Sequence, residues 1–274
     1  MTAGETLDAD ERRNGKHAEL AFNIRFPARN GAVVDQDEEW CEVQLAAGWR
    51  SFRFHDYHEL YSIPGLYEQI FYGELRCDSP RTVCSLLEAQ LDIADASASD
   101  LRVLDVGAGN GMVGEELQKR LGVGHLVGVD IIEEAEMAAE RDRPGVYDDY
   151  RTVDLTAMPA SIHEELIDQR LNTLVTVAAL GYGDIPPQAF AEAYNLISDH
   201  GWVAFNIKDR FLQEEKSGFS KMIDHMLDEG ILTQRDETHY RHRLSVHGKP
   251  LHYIAIVAEK HGDVSREWVD KAAA

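Results

Sequence analysis

An open α/β fold with a mostly parallel sheet is predicted by three features of the 274-residue sequence. First, Leu101 to Ile131 reads as strand, glycine turn, helix and strand. Val103, Leu104 and Val106 form a short apolar run, glycines between Gly107 and Gly114 stop it, and Leu126-Val127-Gly128-Val129 leads on to Asp130. Second, the apolar runs Asn172 to Leu180 and Gly201 to Ile207 have the length and continuity of strands covered on both faces. Third, His242 to Val246 and His252 to Ala258, joined by His247-Gly248-Lys249-Pro250, read as a terminal antiparallel hairpin.

The glycine turn is the chemically informative element. Glycine permits positive φ there, and without a Cβ it lets a ligand lie on backbone N–H groups at the start of the next helix. Gly109, Gly111 and Gly114 also satisfy the dinucleotide spacing G-x-G-x-x-G, so glycine count alone leaves two cofactor classes open. Asp105 separates them. A carboxylate at the end of the first strand repels the pyrophosphate of a dinucleotide, whereas S-adenosylmethionine (SAM) brings a cationic sulfonium and an ammonium group. Asp130, at the end of the second strand, suits the ribose hydroxyls of either class.

Asp105-x-Gly107-x-Gly109-x-Gly111 followed by Asp130 resembles the signature of class I SAM-dependent methyltransferases, over about residues 79 to 260. The resemblance implies a Rossmann-like sheet of seven strands in the order 3-2-1-4-5-7-6, whose antiparallel last strand distinguishes it from dinucleotide dehydrogenases. It implies SAM as cofactor, with contacts from Ala108, Asn110 and Met112 of the turn, Ile131 after the second strand and Val177 in the fourth. A more distant similarity, through Gly145-Val146-Tyr147 and Ala178-Ala179-Leu180-Gly181, is to methyltransferase-like proteins of the Williams–Beuren-region type. Two other readings stay open: an NAD(P)-dependent oxidoreductase, and a SAM-binding regulatory module without turnover.

Composition predicts one soluble, cytoplasmic core domain with an extension. No apolar stretch approaches the ~20 residues of a membrane span, and the N-terminus lacks a signal-peptide pattern. Cys41, Cys77 and Cys84 have no metal-type spacing and read as reduced packing residues. With 49 acidic against 27 basic residues the net charge is −22, which disfavours polyanionic partners. Residues 1–19 read as a polar tail, 20–54 as a small β extension, 55–78 as a helical cap, 79–262 as the core fold and 263–274 as a second tail.

In the cap, His55-Asp56-Tyr57-His58-Glu59-Leu60-Tyr61 precedes a break at Ile63-Pro64-Gly65, and Leu66 to Tyr72 follows. The resemblance implies that tyrosines placed here cover the cofactor, with Tyr67 and Tyr72 as the candidates; plain amphipathic packing of Tyr67, Phe71 and Leu75 is the alternative. His55, Asp56 and His58 lack a third ligand at metal-type spacing. Ser79-Pro80 starts the next helix, with Val83, Leu86, Leu87 and Leu91 on its apolar face.

Glu133 to Arg141 reads as a helix and Tyr150 to Leu155 as the third strand. The resemblance gives Asp154 and Leu155 the adenine, while a helix N-cap is the competing role of Asp154. The fourth strand, Asn172 to Leu180, is followed by Gly181-Tyr182-Gly183-Asp184-Ile185-Pro186-Pro187, and Tyr182 and Asp184 are the best-placed polar side chains for a methyl acceptor. Asp184 to Pro187 resembles the acid-Pro-Pro-aromatic motif of nucleic-acid amino-methyltransferases only superficially, since Gln188 replaces the aromatic. Candidate general bases are His58, Tyr61, Tyr182 and Asp184.

Ala189 to Ser198 and Gly218 to Leu232 read as helices flanking the fifth strand. The densest basic cluster, His239 to Arg243 with Lys249, is too short to follow a polynucleotide. Regular strand alternation places Arg241 and Arg243 on one face, able to hold a single carboxylate or phosphate. These features predict a methyltransferase acting on a small molecule, able to take an anionic one, with no nucleic-acid partner.

Overall fold

The computed structural model describes residues 22–27, 35–180, 184–208 and 218–273. The predicted tail at 1–19 and Tyr182 lie outside them. Seven strands form the main sheet: β4 (Arg102–Val106), β5 (His125–Asp130), β6 (Asp149–Thr152), β7 (Thr173–Thr176), β8 (Trp202–Lys208), β9 (Leu232–Leu244) and β10 (Pro250–Lys260), after β1 to β3 of the N-terminal extension. Their order is β6-β5-β4-β7-β8-β10-β9, with β10 antiparallel to both neighbours, which is the predicted 3-2-1-4-5-7-6 arrangement. Strand order reverses between β4 and β7, so their carboxyl ends open the crevice where such sheets bind ligands.

Both faces of the sheet are covered, which explains the unbroken apolar runs. Adjacent residues go to opposite cores: Leu104, Val127, Leu174 and Phe205 to one, Val103, Leu126, Val175 and Ala204 to the other. The helix α3 (Ser79–Ile93) closes the second core with Val83, Leu87 and Leu91.

A third core joins extension and cap. Strands β1 (Ile24–Arg25), β2 (Trp40–Leu45) and β3 (Gly48–Arg53) form an antiparallel sheet of their own. It turns Cys41, Val43 and Phe52, with Phe54 just beyond, onto Leu60, Leu66, Ile70 and Phe71 of the cap helices α1 (Tyr57–Ser62) and α2 (Leu66–Glu68, continued by a π turn Gln69–Glu74). Val246 of the hairpin turn completes the cluster. The extension thus supports the cap from behind.

Four boundaries differ from expectation, each for a local reason. β6 ends at Thr152 because Asp154 caps the following turn, Leu155–Ala157. β7 ends at Thr176 because Ala178 adopts φ 59°, held by its N–H donating to Asn206 Oδ1 at 2.6 Å. The hairpin strands are roughly twice the expected length, since Thr233 to His239 of edge strand β9 are exposed and carry no apolar alternation to read. Within the expected tail, residues 263–273 carry a helix: α9 (Arg266–Ala273) packs there, with Trp268 stacked on His225 of α8 (Gly218–Asp228) at 4.3 Å.

The basic cluster is also rearranged. A bulge near His242 shifts the register from Leu251↔Arg243 to His252↔Arg241, so Arg241 is exposed while Arg243 is buried. Arg243 pairs with buried Glu39 at 2.6 Å, and Glu39 also accepts the Val246 N–H at 2.8 Å. The expected pair of arginines on one face does not form, and with it goes the basis for an anion site. No described helix is long and apolar enough to cross a membrane.

Candidate active site

The turn after β4 is built by backbone geometry that glycine makes accessible. Gly107 and Gly109 have φ of 73° and 54°, and a Cβ on Gly109 would stand 2.4 Å from the Tyr61 hydroxyl. Side chains elsewhere hold the turn in place. The Gly109 N–H donates to Asp130 Oδ2 at 2.9 Å and the Ile132 N–H to Oδ1 at 3.1 Å, while the Tyr150 hydroxyl donates to the Gly109 carbonyl at 2.9 Å. Arg143 donates to the Asn110 carbonyl (3.1 Å) and to Glu68 of the cap (2.7 Å), and the Asn110 amide also reaches Glu68 (3.1 Å). Loop and cap are therefore one hydrogen-bonded unit.

Between them lies a cavity of about 310 Å³. Asp130, Ile131, Asp154 and Leu155 enter it from the ends of β5 and β6, Val177 to Ala179 from the end of β7, and Gly107 from the turn. The cap contributes His55, Tyr57, Tyr61 and Tyr67, and the segment before α7 (Pro187–Leu196) contributes Asp184, Ile185 and Pro186. The tyrosine rings form a continuous roof: Tyr57 and Tyr61 stack at 6.2 Å and Tyr61 meets Tyr67 at 4.8 Å. His55 stacks on Tyr57 at 5.7 Å, and its Nδ1 stands 3.6 Å from Asp184 Oδ1.

Of the residues singled out in the sequence, Tyr61, Tyr67, Gly107, Asp130, Ile131, Asp154, Leu155, Val177 and Asp184 line this cavity. Ala108, Gly109, Asn110, Gly111 and Met112 shape the turn without lining it. Tyr72 lies behind Tyr67, at 6.3 Å between rings. His58 is exposed on another face of α1: Tyr57 and Tyr61, four apart, share the inner face, and His58 is one residue out of phase. It does not stand with the other candidate bases. Asp154 serves the turn as well as the cavity, since its Oδ1 accepts from the Thr156 N–H at 2.8 Å and hydroxyl at 2.7 Å. His55 and Tyr57 were missed as wall residues, although the density of aromatic residues in this segment was visible.

Asp105 lies under the loop rather than on the cavity wall. It is fully buried, its Oδ2 accepts from the Tyr147 hydroxyl at 2.7 Å, and its Oδ1 has no partner among the described residues. Burial pushes its carboxyl up to about 7, against the lowering effect of the Tyr147 hydrogen bond. Tyr61 and Tyr57 hydroxyls are also driven well above their ordinary range, chiefly by burial, and so remain protonated donors.

This charge pattern discriminates between the two cofactor classes. The described cavity wall carries three carboxylates, Asp130, Asp154 and Asp184, and a single group able to become cationic, His55. A pyrophosphate would face three carboxylates there against one imidazole. A cationic sulfonium and ammonium suit this acidic wall.

The strand order is that of the Rossmann-like class I methyltransferase fold. Residues 104–205 match the methyltransferase domain family. The match runs from within β4 through β7 and takes in most of β8, the part of the sheet that carries the glycine turn. No curated protein matches it in sequence. Among solved structures, the N-methyltransferase NodS from Bradyrhizobium japonicum WM9, in complex with S-adenosyl-L-homocysteine, is similar at 13% identity and a TM-score of 0.50, over 76% of this chain and 97% of that one. A SAM-dependent methyltransferase from Clostridium acetobutylicum ATCC 824 is similar at 11% identity and a TM-score of 0.49, over 72% and 97%. Magnesium protoporphyrin IX methyltransferase from Synechocystis PCC 6803, with bound SAM, gives 16% and 0.46, over 66% and 79%. The likeness to NodS, at a TM-score of 0.50 and 13% identity, speaks for the fold alone.

Two predictions follow from the packing around the turn. Gly109→Ala should weaken binding of S-adenosylhomocysteine at least about tenfold in calorimetry, because its Cβ strikes the Tyr61 hydroxyl 2.4 Å away. Adding Tyr61→Phe should restore part of the loss, since the nearest atom then stands at 3.2 Å, while the cost of Ala at positive φ, ~1–2 kcal/mol, persists. Equal affinity for Gly109→Ala and the parent protein would mean that the cap does not rest on the loop.

The second concerns Asp105, whose folded value of about 7 exceeds its usual 3.8. The folded protein holds this proton more tightly than the unfolded chain, so Asp105 lowers stability progressively as pH rises from about 4 to 7, and the loss is constant above that. Relative to Asp105→Asn, the parent should lose stability across this window, with a ceiling of roughly 4 kcal/mol at about 1.36 kcal/mol per pH unit. Urea denaturation of both proteins at a series of pH values measures it; parallel curves would contradict the assignment.

Proposed function

We propose that the protein transfers a methyl group from SAM to a small-molecule nucleophile, an amine or a hydroxyl compound, presented between His55 and Asp184. The observation that carries the reading is the tyrosine-roofed cavity whose wall beside the β7 end carries this His–Asp pair. Asp130 suits the ribose hydroxyls, Asp154 and the Leu155 backbone the adenine, and Asp105 with the glycine turn the amino-acid end. When bound, SAM supplies an electrophilic methyl group on a positively charged sulfur.

What the chain contributes is positioning, exclusion of water and proton removal. Tyr57, Tyr61 and Tyr67 cover the cavity, and their ring faces suit a positive charge. Fixing the reactants in contact supplies most of the acceleration expected for a direct displacement. A neutral amine or hydroxyl loses a proton as it is methylated. Tyr61, held protonated, serves as a hydrogen-bond donor, which leaves His55 and Asp184 to take that proton. Burial raises the Asp184 carboxyl and the neighbouring His55 lowers it, so on balance its affinity for a proton lies above that of an exposed carboxylate.

A polynucleotide acceptor is disfavoured by the net charge of −22 and by the burial of Arg243 against Glu39, which removes one arginine from the densest basic cluster. An anionic small acceptor loses its support for the same reason. Free thiols at Cys41, Cys77 and Cys84 fit a reducing, cytoplasmic setting.

The test is methyl transfer from labelled SAM to a panel of amines, alcohols, phenols, carboxylates and tRNA. Transfer to an amine or hydroxyl compound is expected, with Asp184→Asn lowering kcat about 100-fold and leaving S-adenosylhomocysteine binding unchanged. Asp130→Ala should instead weaken S-adenosylhomocysteine by ~1.5–3 kcal/mol. Binding of NADH with SAM silent, or methylation of tRNA alone, would refute the proposal.

A further inference from the structure

A second polar cluster lies at the opposite end of the sheet from the cavity, where β10 ends and β8 begins. There His200, Glu259 and His261 bring ligand-type atoms to within 4.8 Å of one another. We propose that these three residues form a binding site for a divalent transition ion of the Zn²⁺ type, independent of the methyl-transfer site.

The cluster is held by backbone pairing. The His200 N–H donates to the Lys260 carbonyl at 2.7 Å and the Lys260 N–H to the Gly201 carbonyl at 2.9 Å, which fixes the segment before β8 against the end of β10. Lys260 itself is buried, its ammonium donating to the Tyr194 and Ile197 carbonyls at 3.0 and 2.6 Å. Strand alternation then directs Glu259 and His261 to the other side from Lys260, toward His200. The three side chains converge because the residue between two of them is anchored.

The donor set suits the ion, and two of the three ligand-to-ligand edges approach its geometry, the third, between His200 and His261, lying within 4.8 Å. Zinc–ligand bonds of about 2.0–2.2 Å give ligand-to-ligand edges of roughly 3.3–3.6 Å in a tetrahedron. Glu259 Oε1 stands 3.3 Å from His200 Nδ1 and 3.9 Å from His261 Nδ1, so a few tenths of an ångström closes the second edge. Both distances involve the same carboxylate oxygen. The other, Oε2, is taken by the Arg235 guanidinium, which orients the carboxylate and leaves Oε1 toward the imidazoles. Two imidazoles and one carboxylate are a recurring ligand set for zinc with an open position for water, and the His200 side chain, 78% exposed, leaves room for it. An ion there would clip residue 200 to residues 259–261.

The test is calorimetric titration of ZnCl₂ into the full chain at neutral pH in a non-chelating buffer. One ion per chain should bind, with affinity reduced at least about tenfold in His200→Asn and in His261→Ala. Asparagine is chosen at position 200 because His200 has φ 61°, which Asn tolerates. Cobalt bound at the site should show visible absorption that both substitutions abolish. Absence of a one-to-one site, or equal Zn²⁺ affinity in the parent and both variants, would overturn the proposal whatever the outcome for SAM.

Discussion

The hydrogen bond from the Gly109 N–H to Asp130 Oδ2 ties the glycine turn after β4 to the end of β5, and the rest of the site depends on it. With the Ile132 N–H on Oδ1, one carboxylate fixes two neighbouring strand ends. Its cost is desolvation, which raises the Asp130 carboxyl against the lowering effect of these backbone donors. What is gained is a rigid turn whose α-carbon face is bare enough for Tyr61 to rest on it.

The cap is thereby part of the cavity rather than an accessory. Arg143 reaches from beyond helix α5 (Glu133–Asp142) to both Asn110 and Glu68, and Arg141 donates to the Tyr61 carbonyl at 3.0 Å. Behind the cap stand the extension, the Phe54–Phe71 contact at 5.2 Å and the buried Arg243–Glu39 pair. Such a pair confers specificity of docking more readily than net stability, because desolvation offsets much of its attraction. A support built this way holds the tyrosine roof in one place over the strand ends.

The strand-turn-helix frame was legible because it follows from local constraints: apolar runs for strands buried on both faces, glycine where positive φ is needed, an acid at each of two strand ends; the strand order was legible only through the family resemblance that these residues carry. Asp130 was placed beside the cavity as a strand-end acid, Asp184 by its position after the fourth strand at the switch point, and Asp154 and Leu155 by the resemblance. The environment of Asp105 was not legible, since its burial and its bond to Tyr147 depend on residues 42 apart in the chain. Nor could strand alternation anticipate the bulge that buries Arg243, or His55 joining Asp184 across 129 residues. β9 hid its length because an exposed edge strand rich in charge carries no two-residue apolar period.

The central claim, that cap and glycine turn close together on the cofactor, is tested most directly by amide hydrogen exchange with and without saturating S-adenosylhomocysteine. The account predicts that exchange slows both in residues 55–74 and in the turn at 107–112, and that Tyr61→Ala removes the protection of the cap segment while the turn keeps part of its own. Protection confined to the strand ends, with residues 55–74 exchanging at the same rate in both states, would contradict it.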